Sequence, residues 1–368
     1  MLEILESGIK NCKNTQSHAF GSGSIGNLKS ILQNRGLQKD DYAIFLIDQY
    51  FKGNPGKLGG LPSFGKDLII YVDTKKEPTT QSVNSLMTEY FIGRKSNPFA
   101  VVGIGGGITL DTAKAISNLL TNGGKAEDYQ GWDLVKVPGV YKVGIPTISG
   151  TGAEATRTCV MTHTESGLKL GMNSDHTVFD QLILDPDLTD TVPRDQYFYT
   201  GMDAFIHCVE ALHGNYRNAL GDAYSDQALK LCKEVFLSED MKSNGNREKL
   251  MVASYLGGCA VGMTYVGVLH PFSAGLSVVL GMHHGIANCV AMTAMKEFYP
   301  CEVDEFWQMV QKQNIQIPRG VCRDLDSKQY DLLYASTIIH EKPLTNALGE
   351  GFKDILTKKK VLEIFRSM

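Results

Sequence analysis

The stretch FAVVGIGGGITLDTAKAI (99–116) carries the strongest indication of the fold. A short apolar run rich in β-branched residues is followed by Gly105, Gly106 and Gly107, and then by apolar residues at helical spacing. The pattern predicts a buried strand, a tight glycine turn and a helix. Because glycine has no Cβ, backbone N–H groups in such a turn approach a phosphate closely, and the following helix points its positive end at the same place. We interpret the turn as a candidate pyrophosphate site, with tight packing as the alternative.

Three other segments around this turn also have the character of buried strands. They are YAIFLID (42–48), DLIIYVD (67–73) and VYKVGIPT (140–147), and each is short, apolar and bounded by Gly, Asp or Pro. Helical patterns such as TTQSVNSLMTEYFIG (79–93) separate them. Strands that alternate with helices favour a doubly wound, mostly parallel, Rossmann-like sheet.

The second half of the chain has a different pattern. From about residue 195 onward, amphipathic helical segments follow one another with few indications of strands. We therefore expect an α/β dinucleotide-binding domain at residues 1–187 and an all-α metal-binding domain at residues 188–368.

The bulk composition excludes several classes of protein. A chain of 368 residues with 43% hydrophobic and 21% charged residues is typical of a globular protein that is long enough for two domains. A net charge of −4 provides no electrostatic basis for binding nucleic acid. The eight cysteines include no C-x-x-C pair, which indicates reduced thiols. Because no apolar run spans a bilayer and MLEILESGIKNCK (1–13) lacks signal-peptide features, we expect a cytoplasmic protein without a membrane partner.

Polar side chains lie at the predicted carboxyl ends of two strands. GIPTISGTGAEATRT (144–158) places Thr147 and Thr151 among glycines, directly after a strand. The strand ends of a parallel sheet meet at one edge, where ligands bind, so these hydroxyls are candidates for phosphate, ribose or nicotinamide. Asp48 ends another strand and is a candidate acceptor from the adenosine ribose, which favours NAD over NADP. Turn formation is the alternative role for all three residues.

Two stretches, TGMDAFIHCVEALH (200–213) and GVLHPFSAGLSVVLGMHHG (267–285), suggest a metal site. In the first, an aspartate and a histidine four residues apart share one face of a helix. In the second, two histidines lie in an apolar run, where a divalent cation would offset the free energy of burying imidazoles. One carboxylate and three imidazoles suit Fe²⁺, Zn²⁺, Co²⁺ or Ni²⁺ rather than Ca²⁺ or Mg²⁺. The candidate ligands are Asp203, His207, His270 and His284; the alternative is that the last two are ordinary core residues.

Five motifs in order resemble the iron-dependent (group III) alcohol dehydrogenase family. They are G-G-G-x-x-x-D-x-A-K (105–114), P-T-x-x-G-T-G-x-E (146–154), L-D-P-x-L…P (184–193), G-M-D-A-x-x-H-x-x-E (201–210) and H…H-G (270–285). The likeness runs from about residue 18 to residue 300. It implies the architecture shared with dehydroquinate synthase, a dinucleotide-binding N-terminal domain and a helical C-terminal domain, with the active site in the cleft between them.

The resemblance also assigns roles to residues. The metal ligands, which are also catalytic, are Asp203, His207, His270 and His284. The cofactor loop is Gly105, Gly106 and Gly107, with Asp111, Thr147 and Thr151 near the cofactor or substrate. The implied cofactors are a divalent metal, Fe²⁺ or Zn²⁺, and NAD, either weakly or tightly held. The implied partners are a small-molecule substrate, a sugar acid or other polyol, and a second copy of the chain in a homodimer.

The chain departs from the family pattern in two places. Ile108 stands where the family usually has Ser after the glycines, and Ala274 stands where many members have a second His near the substrate and a proton route. We include the nearby His283 as a candidate catalytic substitute, although adjacent helical residues point in different directions. Both departures bear on NAD exchange and on ordinary small-alcohol chemistry.

The segments at 129–162 and 168–186 resemble the 3-deoxy-manno-octulosonate 8-oxidase branch of this family. This likeness implies oxidation of a sugar acid's primary hydroxyl to an aldehyde by metal-polarised alkoxide formation and hydride transfer. Arg157 is a candidate for binding a substrate carboxylate, or for a structural ion pair. The alternatives are an NAD(P)-dependent dehydrogenase or reductase of a small alcohol or aldehyde, a dehydroquinate synthase-like cyclase, and a non-catalytic sugar-acid binding protein.

Overall fold

The computed structural model describes residues 12–36, 41–94 and 96–368. The chain divides into two compact units. The α/β unit comprises Lys13–Ile148 and Ala153–Thr191, and the helical unit includes Ser149–Gly152 and Val192–Met368. The domain limits 1–187 and 188–368 stay a prediction. Most of the stretch 1–13, for which we predict no signal peptide, lies outside the described residues.

The α/β unit is built on a six-stranded sheet in which every neighbouring pair of strands is parallel. The strands of this unit are β1 (Ser17–Phe20), β2 (Ala43–Asp48), β3 (Leu68–Val72), β4 (Ala100–Gly105), β5 (Gly131–Trp132), β6 (Lys142–Pro146), β7 (Thr158–Thr162), β8 (Lys169–Asn173) and β9 (Gln181–Leu184). The large sheet has the order β1-β9-β6-β4-β2-β3. The four strands predicted from apolar runs are β2, β3, β4 and β6, and the predicted parallel α/β fold is confirmed.

The order of this sheet places the glycine turn at its switch point. From β2 the chain continues to β3 on one side, and β4 then pairs with β2 on the other side. The carboxyl ends of β2 and β4 are therefore adjacent. A Cβ added to Gly105 would lie 3.1 Å from the Cβ of Asp48, so the two strand ends meet where ligands bind in open α/β sheets.

Strands β5, β8 and β7 form a second, three-stranded sheet that the apolar patterns did not predict. Strands β7 and β8 are antiparallel, and Gly167 lies between them with a φ of 71°. The helices of the α/β unit are α1 (Leu28–Gln33), α2 (Tyr50–Gly53), α3 (Thr80–Tyr90) and α4 (Gly107–Asn122). Helices α3 and α4 confirm the helical patterns predicted there.

In the helical unit, the segment from Val192 onward contains helices without strands, as predicted for the second half of the chain. They are α5 (Arg194–His213), α6 (Ala219–Phe236), α7 (Asn244–Thr264), α8 (Leu269–Leu280), α9 (His284–Met292), α10 (Pro300–Lys312), α11 (Ser327–Ile338), α12 (Glu341–Leu348), α13 (Phe352–Ile355) and α14 (Lys358–Ser367). Residues of α5 are central to its core, in which Phe198, Phe205 and Phe272 are completely buried.

No single helix within the described ranges is long and apolar enough to cross a membrane. By length and composition alone, α7 and α8 would pass such a test as a pair, with a bend of 107° between them.

Candidate functional site

Helix α5 carries the centre of the candidate metal site. Asp203, His207 and Glu210 follow one another at helical spacing, and α5 is buried continuously from Thr200 to Ala211. The helix forms because its apolar residues pack against the core of the helical unit. Two carboxylates and an imidazole are therefore held where water cannot solvate them, and they require partners.

The first turns of two other helices supply the remaining histidines. His270 is the second residue of α8, and His284 is the first residue of α9. Ligand atoms of Asp203, His270 and His284 all lie within 4.8 Å of one another. Oδ1 of Asp203 lies 3.2 Å from Nε2 of His270, and Oδ2 lies 3.4 Å from Nε2 of His284.

The fourth predicted ligand, His207, lies against this cluster. Its Nε2 is 3.5 Å from Oδ1 of Asp203, and its ring stacks on that of His270 with 4.7 Å between centroids. The structure thus brings together all four side chains that the sequence nominates, although they are up to 81 positions apart in the chain.

Burial and neighbouring charges determine the protonation of the cluster. Burial favours the neutral acid of Asp203, but His207, His284 and His270 outweigh it and hold the pKa of Asp203 well below its ordinary value. Burial lowers the pKa of His207 to about 4. Burial also favours neutral His270, but Glu210 and Asp203 reverse this effect and raise the pKa of His270 to about 10. The cluster therefore combines an ionised Asp203 with a protonated His270, and a divalent cation that binds Nε2 of His270 would displace its proton.

Two further buried residues of the site have no role in the sequence analysis. Nδ2 of Asn288 donates to Oδ1 of Asp203 at 2.7 Å and lies 3.2 Å from Nε2 of His284. Glu210 hydrogen-bonds Nδ1 of His270 through Oε2 and accepts from the Leu269 N–H through Oε1 at 2.5 Å. Glu210 is the last residue of the motif G-M-D-A-x-x-H-x-x-E (201–210) and shares the helical spacing of Asp203 and His207, whereas nothing in the sequence distinguished Asn288.

The chemistry of this donor set fits a divalent transition metal. Among the described residues, Oδ2 of the completely buried Asp203 carboxylate has no hydrogen-bond partner. An anionic oxygen of this kind, with three imidazoles beside it, matches the mixed oxygen and nitrogen ligands of Fe²⁺ and Zn²⁺ sites. Asp203, His207, His270 and His284 are the residues that would hold the ion, and this assignment stays a prediction.

Ala274 and His283, the two positions associated with the missing family histidine, have surroundings that differ from those of the cluster. Ala274 is buried in α8, so its methyl group belongs to the core. His283 is exposed and precedes α9 as its N-cap residue. Its catalytic role stays a prediction.

At the glycine turn, close approach of the chain requires small residues. A Cβ on Gly105 would lie 2.5 Å from Oγ1 of Thr109, and a Cβ on Gly106 would lie 2.8 Å from Cγ2 of Ile148. Helix α4 begins at Gly107 and is sixteen residues long, so its free N–H groups and dipole lie at the end of β4. This geometry supports the predicted pyrophosphate site and also explains the glycines by packing.

The other candidate cofactor residues differ in what they contact. Oδ1 of Asp48 accepts from the Tyr50 N–H at 2.9 Å and from Oγ1 of Thr74 at 3.2 Å, which is the turn-forming alternative. Thr147 is buried, and its N–H donates to the Gly105 carbonyl at 3.0 Å. Thr151 belongs to the helical unit, whereas Thr147 belongs to the α/β unit. The cofactor roles of these three residues stay predictions.

Asp111 forms its polar contacts within the α/β unit. Its Oδ2 accepts from the Val160 N–H at 2.9 Å, and its Oδ1 lies 3.7 Å from Nζ of Lys114. Lys114 is completely buried and donates to the carbonyls of Thr156 and Thr158. The pair therefore joins α4 to β7, and a contact of Asp111 with the cofactor stays a prediction.

Arg157 has the structural role that the sequence left open as one alternative. Its guanidinium forms ion pairs with Asp133 and, at 3.0 Å, with Asp175. Because two carboxylates of the α/β unit already balance its charge, it offers little to a substrate carboxylate.

Comparison with known families gives matches along most of the chain. Residues 15–186 match the profile described as iron-containing alcohol dehydrogenase, and residues 197–319 match that of the C-terminal region of the Fe-containing alcohol dehydrogenase family. Four of the five motifs quoted above lie within these two regions, and the motif at 184–193 begins at the end of the first one, so the resemblance to the family is confirmed.

Among curated proteins, the chain is 34% identical to a sulfoacetaldehyde reductase of Bilophila wadsworthia over 62% of its length and 58% of that protein. It is also 34% identical to an NAD-dependent methanol dehydrogenase of Bacillus methanolicus, over 62% of its length and 60% of that protein. The matched region thus spans less than two thirds of these relatives.

Solved structures show the same fold. An alcohol dehydrogenase from Oenococcus oeni has a TM-score of 0.84 at 20% identity, with 97% of this chain and 99% of that chain covered. An NAD⁺ complex of sulfoacetaldehyde reductase from Bifidobacterium kashiwanohense has a TM-score of 0.78 at 22% identity, with 97% and 98% covered.

Proposed function

Because the chain belongs to the iron-containing alcohol dehydrogenase family, we propose that it is a metal- and NAD-dependent oxidoreductase that interconverts a primary alcohol and an aldehyde. The observation that carries the proposal is the cluster of Asp203 with His207, His270 and His284. A role in non-catalytic binding would not require a buried carboxylate among three imidazoles, so this cluster favours an enzyme over a sensor.

The protein's own groups have separable tasks in this reaction. A bound divalent metal would supply Lewis-acid polarisation of the substrate hydroxyl, and NAD would supply the hydride acceptor. The Asp203 carboxylate balances positive charge in a buried environment, and Asn288 holds that carboxylate in place. The backbone N–H groups at the start of α4 would hold the pyrophosphate, and Asp48 would accept from the ribose.

We propose a sugar acid of the 3-deoxy-octulosonate type as the substrate, on the basis of the segments 129–162 and 168–186. The similarity to a sulfoacetaldehyde reductase and to an NAD-dependent methanol dehydrogenase favours a second candidate, namely a small alcohol or aldehyde. The ion pairs of Arg157 remove one reason for preferring a sugar acid. The homodimer and the cytoplasmic location stay predictions.

The test is a matrix of purified protein with Fe²⁺ or Zn²⁺, with and without NAD, against sugar acids and short primary alcohols. Aldehyde, NADH and peroxide are followed together. We expect one NADH for each aldehyde formed, and only with metal present. Aldehyde with peroxide and without NADH would instead identify an oxidase, and ligand binding without any product would identify a sensor. NAD-dependent turnover without net NADH would identify a cyclase.

A further inference from the structure

We propose that Glu210 is a positioning residue that determines which ring nitrogen of His270 faces Asp203, and that it thereby sets the metal affinity of the site. This inference rests on the metal site of the proposed function. Glu210 itself is not among the candidate ligands, because its two oxygens are both directed at α8.

The contacts of Glu210 give each of its oxygens a different donor. Oε2 hydrogen-bonds Nδ1 of His270, while Oε1 accepts from the Leu269 N–H at 2.5 Å and faces the His270 N–H at 3.4 Å. The carboxylate thus binds both the first-turn N–H groups of α8 and the imidazole that α8 carries. With Nδ1 bound in this way, Nε2 of His270 is the nitrogen directed at Asp203, 3.2 Å from Oδ1.

The surroundings of Glu210 keep it in this position. It is completely buried, and Tyr299 forms a hydrogen bond with its carboxylate. A Cβ added to Gly267 would lie 2.6 Å from the Tyr299 hydroxyl and 3.2 Å from Oε1 of Glu210. These contacts, together with the bonds to α8, hold the carboxylate against His270.

The substitution Glu210→Gln keeps the shape of the side chain but replaces one of its two accepting oxygens with a donating NH₂ group. If its amide oxygen faced the Leu269 N–H, its NH₂ group would face Nδ1 of His270 and require Nδ1 to accept. The imidazole proton would then lie on Nε2, where it blocks a metal. If the amide were reversed, its NH₂ group would oppose the Leu269 N–H. A carboxylate accepts at both positions and avoids this conflict.

The test compares full-length Glu210→Gln with a matched control, Glu302→Gln. Glu302 also pairs with an imidazole of α5, since its Oε1 lies 3.4 Å from Nε2 of His213, but neither residue is a candidate ligand. Each protein is stripped with a chelator, and its dissociation constant for Zn²⁺ is measured by competition with a chromophoric chelator. The Co²⁺ absorption spectrum and the melting temperature of the stripped protein are recorded in parallel.

We expect Glu210→Gln to weaken Zn²⁺ binding about 10–100-fold and to change the Co²⁺ spectrum. Glu302→Gln should bind as the wild type does. A purely structural role for Glu210 would lower the melting temperature and leave both metal readouts unchanged, which would overturn the inference. If the wild type itself bound neither ion, the proposed function would fail first, so the two failures are distinct.

A second measurement on the wild type does not depend on the folding of a variant. In zinc-loaded protein labelled with ¹⁵N-histidine, the NMR spectrum should show His270 protonated at Nδ1 and metal-bound through Nε2. Coordination through Nδ1 would contradict the inference.

Discussion

At the scale of single residues, Asp203 is the most informative side chain of the protein. It is completely buried on a largely apolar helix, yet His207, His270 and His284 keep it ionised. An uncompensated carboxylate in this position would cost several kcal/mol of folding free energy. Its retention is therefore expected to serve chemistry rather than packing.

The substitution Asp203→Asn tests whether the charge of this side chain is needed, because it changes the side-chain volume little. The amide keeps the shape but removes the anionic ligand, so we expect metal content per chain to fall close to zero. Turnover should fall by at least about 100-fold. Elemental analysis and rate measurements check both effects, with His213→Gln on the same helix as the control. If Asp203→Asn contained no metal and were fully active, the proposed role of the metal in the reaction would be wrong.

Asp111 provides a prediction for the pH dependence of stability. Burial raises its pKa from 3.8 to about 6, although Lys114 and the Val160 N–H act in the opposite direction. Because the folded state binds this proton more tightly than the unfolded state, its contribution to stability falls as pH rises from about 4 to 6. Burial also lowers the pKa of Lys114, which would lose its partner in Asp111→Asn.

We therefore expect the free energy of unfolding of the wild type to exceed that of Asp111→Asn by more at pH 4.5 than at pH 7. The difference between the two pH values should be on the order of 2 kcal/mol. Thermal unfolding of both proteins at the two pH values measures it. An advantage that grew with pH would show that the ion pair, rather than burial of the carboxyl, dominates.

At the scale of elements, the strand–turn–helix of β4 and α4 combines packing with a candidate binding role. Glycines 105 and 106 allow the turn to lie against Thr109 and Ile148. A comparable close approach occurs at Gly150, whose φ is 137° and whose added Cβ would lie 1.7 Å from the Thr200 carbonyl oxygen. Close packing therefore favours glycine in both turns, whether or not a ligand binds.

Gly106→Ala separates the two roles of the turn. The residue has an ordinary φ of −81°, so the main effect of the methyl group is to crowd Ile148 and the approach of a phosphate. We expect NAD to bind about tenfold more weakly, or about 1.4 kcal/mol, by calorimetric titration.

The matched control is Gly123→Ala at the opposite end of α4, where φ is 69° and an added Cβ meets nothing within 4 Å. It should lower stability by about 1–3 kcal/mol through backbone strain and leave NAD affinity unchanged. Equal NAD affinity of Gly106→Ala and the wild type would restrict the turn to packing.

At the scale of the whole molecule, the candidate sites belong to different units. All four candidate metal ligands lie in the helical unit, and the glycine turn and Asp48 lie in the α/β unit. A ligand stabilises the unit that binds it, by about 2.7 kcal/mol at a free concentration of 100 times its Kd.

Differential scanning calorimetry should therefore show Zn²⁺ and NAD each raising the unfolding temperature of the full chain. Asp203→Asn should lose the shift caused by Zn²⁺ and keep that caused by NAD. Gly106→Ala should keep the shift caused by Zn²⁺ and show roughly half of that caused by NAD, because a tenfold weaker Kd removes about 1.4 of the 2.7 kcal/mol. Loss of both shifts in Asp203→Asn would contradict the assignment of the two ligands to separate sets of residues.

The sequence by itself determined the parallel α/β sheet, the helical second half and the four side chains that converge on the candidate metal site. Apolar periodicity and glycine turns are local properties, and a set of family motifs identifies ligands without knowledge of their geometry. Strands β7 and β8 escaped prediction because their apolar character is weak. Only the tertiary structure assigned Glu210 to His270, Asn288 to Asp203 and Arg157 to its two carboxylates. Glu210 and His270 are 60 residues apart in the chain. A hydrogen bond between such residues depends on the packing of whole helices, which no local pattern specifies.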